Sequence, residues 1–161
     1  MKITKKLSAI VITLISLAML SACGQETPAD ILEYPIDLIL EVEVEVADGF
    51  AFTSIRSNLP NGISLMATVV GDNYIGQDSE ELSGGMALPG PFSSGGDPLP
   101  PGDYTIRITT GVSEVLTEEI RAAIGDNYSN YRGEYFKEND IGQRSISYLT
   151  SFKVDVGGDI P

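Results

Sequence analysis

The sequence predicts an all-β fold, an antiparallel immunoglobulin-like β-sandwich with one short inserted helix, and three observations lead there. Apolar and acidic residues alternate without a break through Leu40-Glu41-Val42-Glu43-Val44-Glu45-Val46, the period-two pattern of a strand with one buried and one wet face. Further runs rich in Val, Ile, Thr, Tyr and Phe follow, separated by Gly, Pro, Asn and Asp that supply turns. One stretch, ending at Gly125, carries helical spacing with caps at both ends. A small barrel is the alternative closure of the same strands.

Taken in order, strand character begins at Ile36 and is clearest over residues 40–46. The outward glutamates repel one another, which costs some stability and discourages edge-to-edge pairing. A second strand covers Phe50 to Arg56 and is followed by Leu59-Pro60-Asn61-Gly62, where Asn-Gly supplies the positive φ of a tight turn. Ile63 to Val70 is the third strand, Gly71-Asp72-Asn73 a turn, and Tyr74 to Leu82 a short strand stopped by Ser83-Gly84-Gly85. From Leu88 to Gly102 Gly and Pro are dense, predicting an irregular excursion with short extended pieces around Met86 and Phe92. Tyr104 to Thr109 alternates again. Thr117 caps a helix whose first turn holds Glu118 and Glu119, whose buried stripe is Ile120 and Ile124, and which Gly125 stops. Barely two turns long, it depends on docking rather than on propensity. The last strand, about Arg144 to Val156, puts Ile146, Tyr148, Phe152, Val154 and Val156 on one face with Thr150 as its polar member.

The start of the chain has a different character. Met1 to Lys6 is basic, Leu7 to Leu20 is apolar but for Ser8, Thr13 and Ser16, and small residues follow. This is the order of a secretory signal peptide over residues 1–22, its apolar run short of the roughly 20 residues of a membrane span. Leu20-Ser21-Ala22-Cys23 resembles the lipobox of bacterial lipoproteins at each of its four positions. The resemblance implies a diacylglyceryl group on the Cys23 thiol, cleavage between Ala22 and Cys23, and acylation of the new amino group. Two or three acyl chains make a stable anchor, each buried methylene adding roughly 0.8 kcal/mol. Gly24 is not the aspartate that resembles an inner-membrane retention signal, so a host with two membranes would carry the protein on the outer one. With a single membrane the domain faces outward from it. Residues 23–35 are the lipidated cysteine and a polar tether with a mean reach of about 20 Å, and residues 36–161 are the sandwich domain.

Removing residues 1–22 leaves 139, enough for one hydrophobic core. Lys2, Lys5 and Lys6 leave with the signal, taking the formal charge from −13 to −16. That excess of carboxylates repels nucleic acid, which is not an expected partner, and favours cationic ones. Cys23 is the sole cysteine, so the domain has no internal disulfide. Histidine and tryptophan are absent, which removes Ser-His-Asp, Cys-His and His-ligated metal arrangements. An enzyme is therefore not expected, nor a cofactor.

Residues 58–109 carry Asn58-Leu59-Pro60-Asn61-Gly62, Gly76-Gln77-Asp78, Gly90-Pro91-Phe92-Ser93 and Pro98-Leu99-Pro100-Pro101-Gly102-Asp103-Tyr104. With the helix ending Ile124-Gly125, these resemble a sandwich module of uncharacterised extracytoplasmic bacterial proteins. The resemblance covers about two thirds of the mature chain, rests on turn residues, and implies a fold and a location but no activity.

Calcium is the metal the composition leaves open, because it takes hard oxygen ligands. The segment Asp126-Asn127-Tyr128-Ser129-Asn130-Tyr131-Arg132-Gly133-Glu134 has oxygens at the first and fifth places of an EF-hand loop, but Tyr128 at the third and no glycine at the sixth. The motif fails, and no metal site is assigned there or to the three glutamates of residues 41–45. Tyr128, Tyr131, Arg132, Tyr135 and Phe136 form the densest aromatic patch. Aromatic rings beside arginine are enriched at protein contacts, so this is the preferred partner surface, the other reading being that two or more of the rings close the sandwich edge. The expected function is a membrane-anchored, noncatalytic module that binds or assists another cell-envelope component. The alternatives are a small-ligand or calcium-binding lipoprotein and a surface adhesive or structural module.

Overall fold

Alternating apolar residues govern the observed architecture. The computed structural model describes residues 33–155. The expected signal peptide, Cys23 and all but the last residues of the tether lie outside them, as does Val156. In chain order the elements are β1 (Ile36–Asp37), β2 (Leu40–Ala47), β3 (Phe50–Ser57), β4 (Ser64–Gly71), β5 (Tyr74–Glu81), β6 (Met86–Ala87), β7 (Gly102–Thr109), α1 (Glu118–Ile124), β8 (Tyr131–Arg132), β9 (Phe136–Glu138) and β10 (Arg144–Val154).

Two antiparallel sheets dominate, one of five strands in the order β5-β4-β7-β10-β9 and one of three in the order β2-β3-β6. β2 and β3 form an eight-residue hairpin from Leu40↔Ser57 to Ala47↔Phe50, closed by Asp48-Gly49 with both φ positive, the two-residue turn whose twist matches its strands. β4 and β5 pair from Ser64↔Glu81 to Gly71↔Tyr74. β7 lies between β4 and β10, with Ala67↔Ile108 and Tyr148↔Ile108 in register. One pair departs from the antiparallel expectation: β1 and β8 run parallel, Ile36↔Tyr131 and Asp37↔Arg132. Strands of two or three residues such as β1, β6, β8 and β9 are too short to leave a period in the sequence.

Inward positions of both main sheets share one core: Leu40, Ala51 and Ile55 from the smaller sheet, and Leu65, Ala67, Val69, Ile106, Ile108, Ile146 and Val154 from the larger. Burying each Val, Leu or Ile side chain stabilises the fold by about 1.5–3 kcal/mol. The 88–101 excursion is stitched to both main sheets. Phe92 exchanges backbone bonds with Ala51 (2.8 and 3.2 Å), the Leu99 amide donates to the Gly49 carbonyl (2.8 Å), and the Gly90 amide to Asp78 Oδ2 (2.7 Å). Phe92 and Leu99 are thereby buried. Helix α1 forms as expected: the Ile120 amide donates to Thr117 Oγ1, Ile120 and Ile124 face the core, and the Gly125 amide closes on the Arg121 carbonyl.

Tyr104 locks the entry to β7. Its hydroxyl donates to the Pro100 carbonyl four residues upstream (2.8 Å), its ring stacks on Phe152 at 5.3 Å, and Tyr74 meets it edge-on at 5.8 Å. Gly71 is required here, because a Cβ would lie 2.4 Å from Tyr104 Cε1. A second internal hydroxyl is less well served, since Thr53 Oγ1 is buried without a hydrogen-bond partner.

Two stability outcomes follow, both read by urea unfolding. Tyr104→Phe lowers stability by about 1 kcal/mol through loss of its hydrogen bond, with the m-value unchanged. Thr53→Val, which removes an unpaired buried hydroxyl at nearly constant volume, raises stability by about 1 kcal/mol; an unchanged or lower midpoint would contradict the burial of an unpartnered oxygen.

Candidate functional site

The five residues singled out as a contact patch divide between the core and the surface. Tyr128 is fully buried and Tyr131 nearly so, which corrects their placement on an accessible surface. Both follow α1 closely, and the chain folds back under it instead of running outward. The Tyr128 hydroxyl lies 2.6 Å from the Gly111 carbonyl and 2.8 Å from Thr110 Oγ1. A carbonyl only accepts, so the single phenolic proton goes to Gly111 and the Thr110 hydroxyl supplies the other bond. Thr110 Oγ1 in turn accepts from the Ile146 amide at 3.1 Å. The Tyr131 hydroxyl donates to the Asn58 carbonyl at 2.9 Å. Both rings therefore belong to the core.

Around Tyr128 the backbone is held in a conformation bulky residues seldom adopt, with φ of 53° at Asn127 and 59° at Tyr128. The Asn127 side chain secures it, donating to the Gly142 carbonyl (2.9 Å) and accepting from the Arg144 amide. Asn130 Nδ2 donates to the Ala123 carbonyl. The Asn127 and Asn130 side chains of the calcium-like segment are thus engaged in structural bonds, and among the described residues no three acidic, His or Cys side chains gather where they could hold a metal ion.

Arg132, Tyr135 and Phe136 reach the surface to different extents. Arg132 forms a two-point ion pair with Asp37 across β1 and β8, Nε to Oδ1 at 2.7 Å and Nη2 to Oδ2 at 3.2 Å. The guanidinium holds the Asp37 carboxyl below its ordinary range, and the pair raises Arg132. Asn58 completes this clasp by accepting from the Ile39 amide and donating to the Asp37 carbonyl, both at 2.9 Å. Phe136 packs on Tyr128 at 5.6 Å beneath the Arg144 guanidinium, 4.2 Å from its ring centre. Tyr135 meets Tyr148 edge-on at 5.3 Å, and the two line a shallow groove with Arg107, Glu134, Lys137 and Leu149. Burial first, and the Glu134 charge second, raise the Tyr135 phenol above its usual value.

A larger groove was not singled out in the sequence. It lies on the smaller sheet, where Phe52, Leu88 and Pro91 give apolar area and Glu43, Glu45 and Ser54 polar groups. Phe52 is 45% exposed and Leu88 60%. Phe52 at an outward place in β3 was the available signal, but Leu88 and Pro91 arrive from the excursion, whose path no periodicity describes. Register sets Glu41 opposite Arg56, Glu43 opposite Ser54 and Glu45 opposite Phe52. Both grooves offer aromatic area and charged groups at their rims, the means of binding a partner.

Among the described residues no helix is long and apolar enough to cross a membrane. Comparison with protein-family models, with curated proteins and with solved structures finds no match to the chain.

Desolvation raises the Tyr128 and Tyr131 phenols, with the Thr110 hydrogen bond partly offsetting the rise at Tyr128. A raised phenol stabilises the fold fully below its unfolded value, about pH 10, and that contribution is lost as pH rises through the folded value. Melting temperature measured against pH will therefore hold between pH 7 and 9 and fall above about pH 10. Tyr128→Phe will melt lower at neutral pH but fall less steeply in alkali; parallel curves would show that Tyr128 does not govern the alkaline limb.

Proposed function

We propose that this chain is a bacterial lipoprotein, anchored through lipid on Cys23 to a membrane outside the cytoplasm, whose domain is a noncatalytic binding or accessory module for another component of the cell envelope. The observation that carries the reading is Leu20-Ser21-Ala22-Cys23 at the end of a basic and then apolar leader. Three features of the domain support it. Cys23 is the chain's sole cysteine and lies before the domain, so lipid on its thiol takes nothing from the core. Its acidic surface, −16 formally after cleavage, keeps it from anionic headgroups while the tether holds it near them. Two open grooves with aromatic and charged linings supply contact area.

The finer fold assignment belongs to the same proposal: an immunoglobulin-like sandwich. It is supported by two main antiparallel sheets contributing to one core and by the Tyr104 hydroxyl bonded to Pro100 at the entry to β7. A tyrosine so bonded, near the start of a strand, is a recurrent corner of that architecture.

The test compares the wild type with Cys23→Ser in cells, by membrane fractionation and by crosslinking with mass spectrometry. The expected result is a membrane-bound wild type, mass-shifted by its acyl chains, and a Cys23→Ser form that is unlipidated and released from the membrane. One envelope protein crosslinked in stoichiometric yield to the anchored form alone would identify the assisted process. An unlipidated wild type at the same position as the variant would overturn the anchoring, and turnover of cell-wall glycan or peptide by the purified protein would overturn the noncatalytic role.

A further inference from the structure

The smaller sheet ends in an uncovered strand. β2 is hydrogen-bonded to β3 on one side only. Among the described residues nothing else hydrogen-bonds to residues 41–47, through backbone or side chain. An eight-residue edge with alternate N–H and C=O groups directed at solvent is a template for another strand. Val42, Val44 and Val46 on its inner side are only half-buried, because the sheet stops beside them. The edge at β5 differs: Asp78, Ser79, Glu80 and Glu81 are exposed in succession, so a strand added there would cover no apolar row. β6 and β9 are two and three residues long.

Charge decides what fits beside β2. Glu41, Glu43 and Glu45 are exposed on its outer side, and the ion pairs among the described residues, Arg132–Asp37 and Lys153–Asp155, involve none of them. A second copy of β2 would place glutamate beside glutamate, and like charges at facing positions are destabilising. With residues 1–22 removed as a leader, the segments flanking the described residues do not serve either. Residues 23–32 contain Glu26 and Asp30 and no basic residue, and residues 156–161 contain Asp159 and none.

We propose that β2 is the docking edge for an extended segment of a protein partner, about eight residues long, with Lys or Arg at every second position and apolar side chains between. The basic residues face Glu41, Glu43 and Glu45, the apolar ones cover Val42, Val44 and Val46, and main-chain bonds hold the added strand. The glutamates thereby serve two ends, excluding copies of the chain and selecting a basic partner. This site rests on the reading of the domain as a binding module and on removal of residues 1–22, but not on lipidation, which fractionation of Cys23→Ser tests separately.

The experiment titrates the full chain, purified in detergent, with an end-blocked, dye-labelled peptide Lys-Val-Lys-Val-Lys-Val-Lys and with its Glu-Val counterpart. The Lys-Val peptide is expected to bind, to weaken about tenfold or more as salt rises from low to several times physiological strength, and to slow amide exchange within residues 41–47. The Glu-Val peptide is expected not to bind. Glu41→Lys/Glu43→Lys/Glu45→Lys, all at exposed positions, should exchange these preferences, a gain that a misfolded variant could not show. No binding of the Lys-Val peptide, or binding without slowed exchange in β2, overturns the proposal. If the triple variant fails to fold, the exchange pattern of the wild type decides alone.

Discussion

The domain is held by an apolar core that both main sheets must complete for each other. Its one cysteine lies before the domain, so no covalent link supports the packing, and β2, β3, β4, β7 and β10 each turn apolar side chains toward the core. Ile55 from β3 and Ile106, Ile108 and Ile146 from β7 and β10 are fully buried. Their alternation fixes register as well as stability, since a slip of one residue would turn these side chains out and the polar set in. The 88–101 excursion is drawn into the same constraint. It has no periodicity of its own, yet it delivers Phe92 and Leu99 to the core and is bonded to β3 and to Gly49 at the points where they enter.

A second level of order is polar and buried. The Tyr128 phenol joins the loop after α1 to the end of β7, and Thr110 passes the connection to the β10 amide at Ile146. In a dry interior each member would be costly without the others, so the group acts as a unit. It also explains how the unusual backbone at Asn127 and Tyr128 persists: the ring is enclosed, and Asn127 is tied to Gly142 and Arg144. Gly125, at φ 76°, leads into this turn, and a Cβ there would lie 2.3 Å from Ser129 Oγ. The segment that looks like a failed calcium loop is thus a compact connection whose Asn127 and Asn130 amides hold the fold.

What is left for interaction follows from where that core ends. At β2 the sheet stops with its valines incompletely covered and its glutamates outward, so apolar contact, main-chain pairing and charge coincide on one edge. Beside β10, Tyr135 and Tyr148 present aromatic area between charges of both signs. The Asp37–Arg132 pair, both partners solvent-exposed, contributes less to stability than to orientation, because it joins β1 to β8.

Period two in Leu40 to Val46, in β3, β4 and β7 and along β10 was legible because a half-buried strand writes its two environments into successive residues. Helix α1 was legible from Thr117, Ile120, Ile124 and Gly125, whose roles are local. By itself the sequence determined an all-β domain with one short helix, its acidic character, and the amino-acid pattern at Cys23 from which anchoring is inferred. Tertiary structure decided which strands are neighbours, that β1 and β8 run parallel, and that Tyr128 and Tyr131 belong to the core while Tyr135 reaches a groove. The reason is physical: an aromatic patch has the same composition whether its rings pack inward or outward, and an edge becomes an edge only when no other strand arrives beside it.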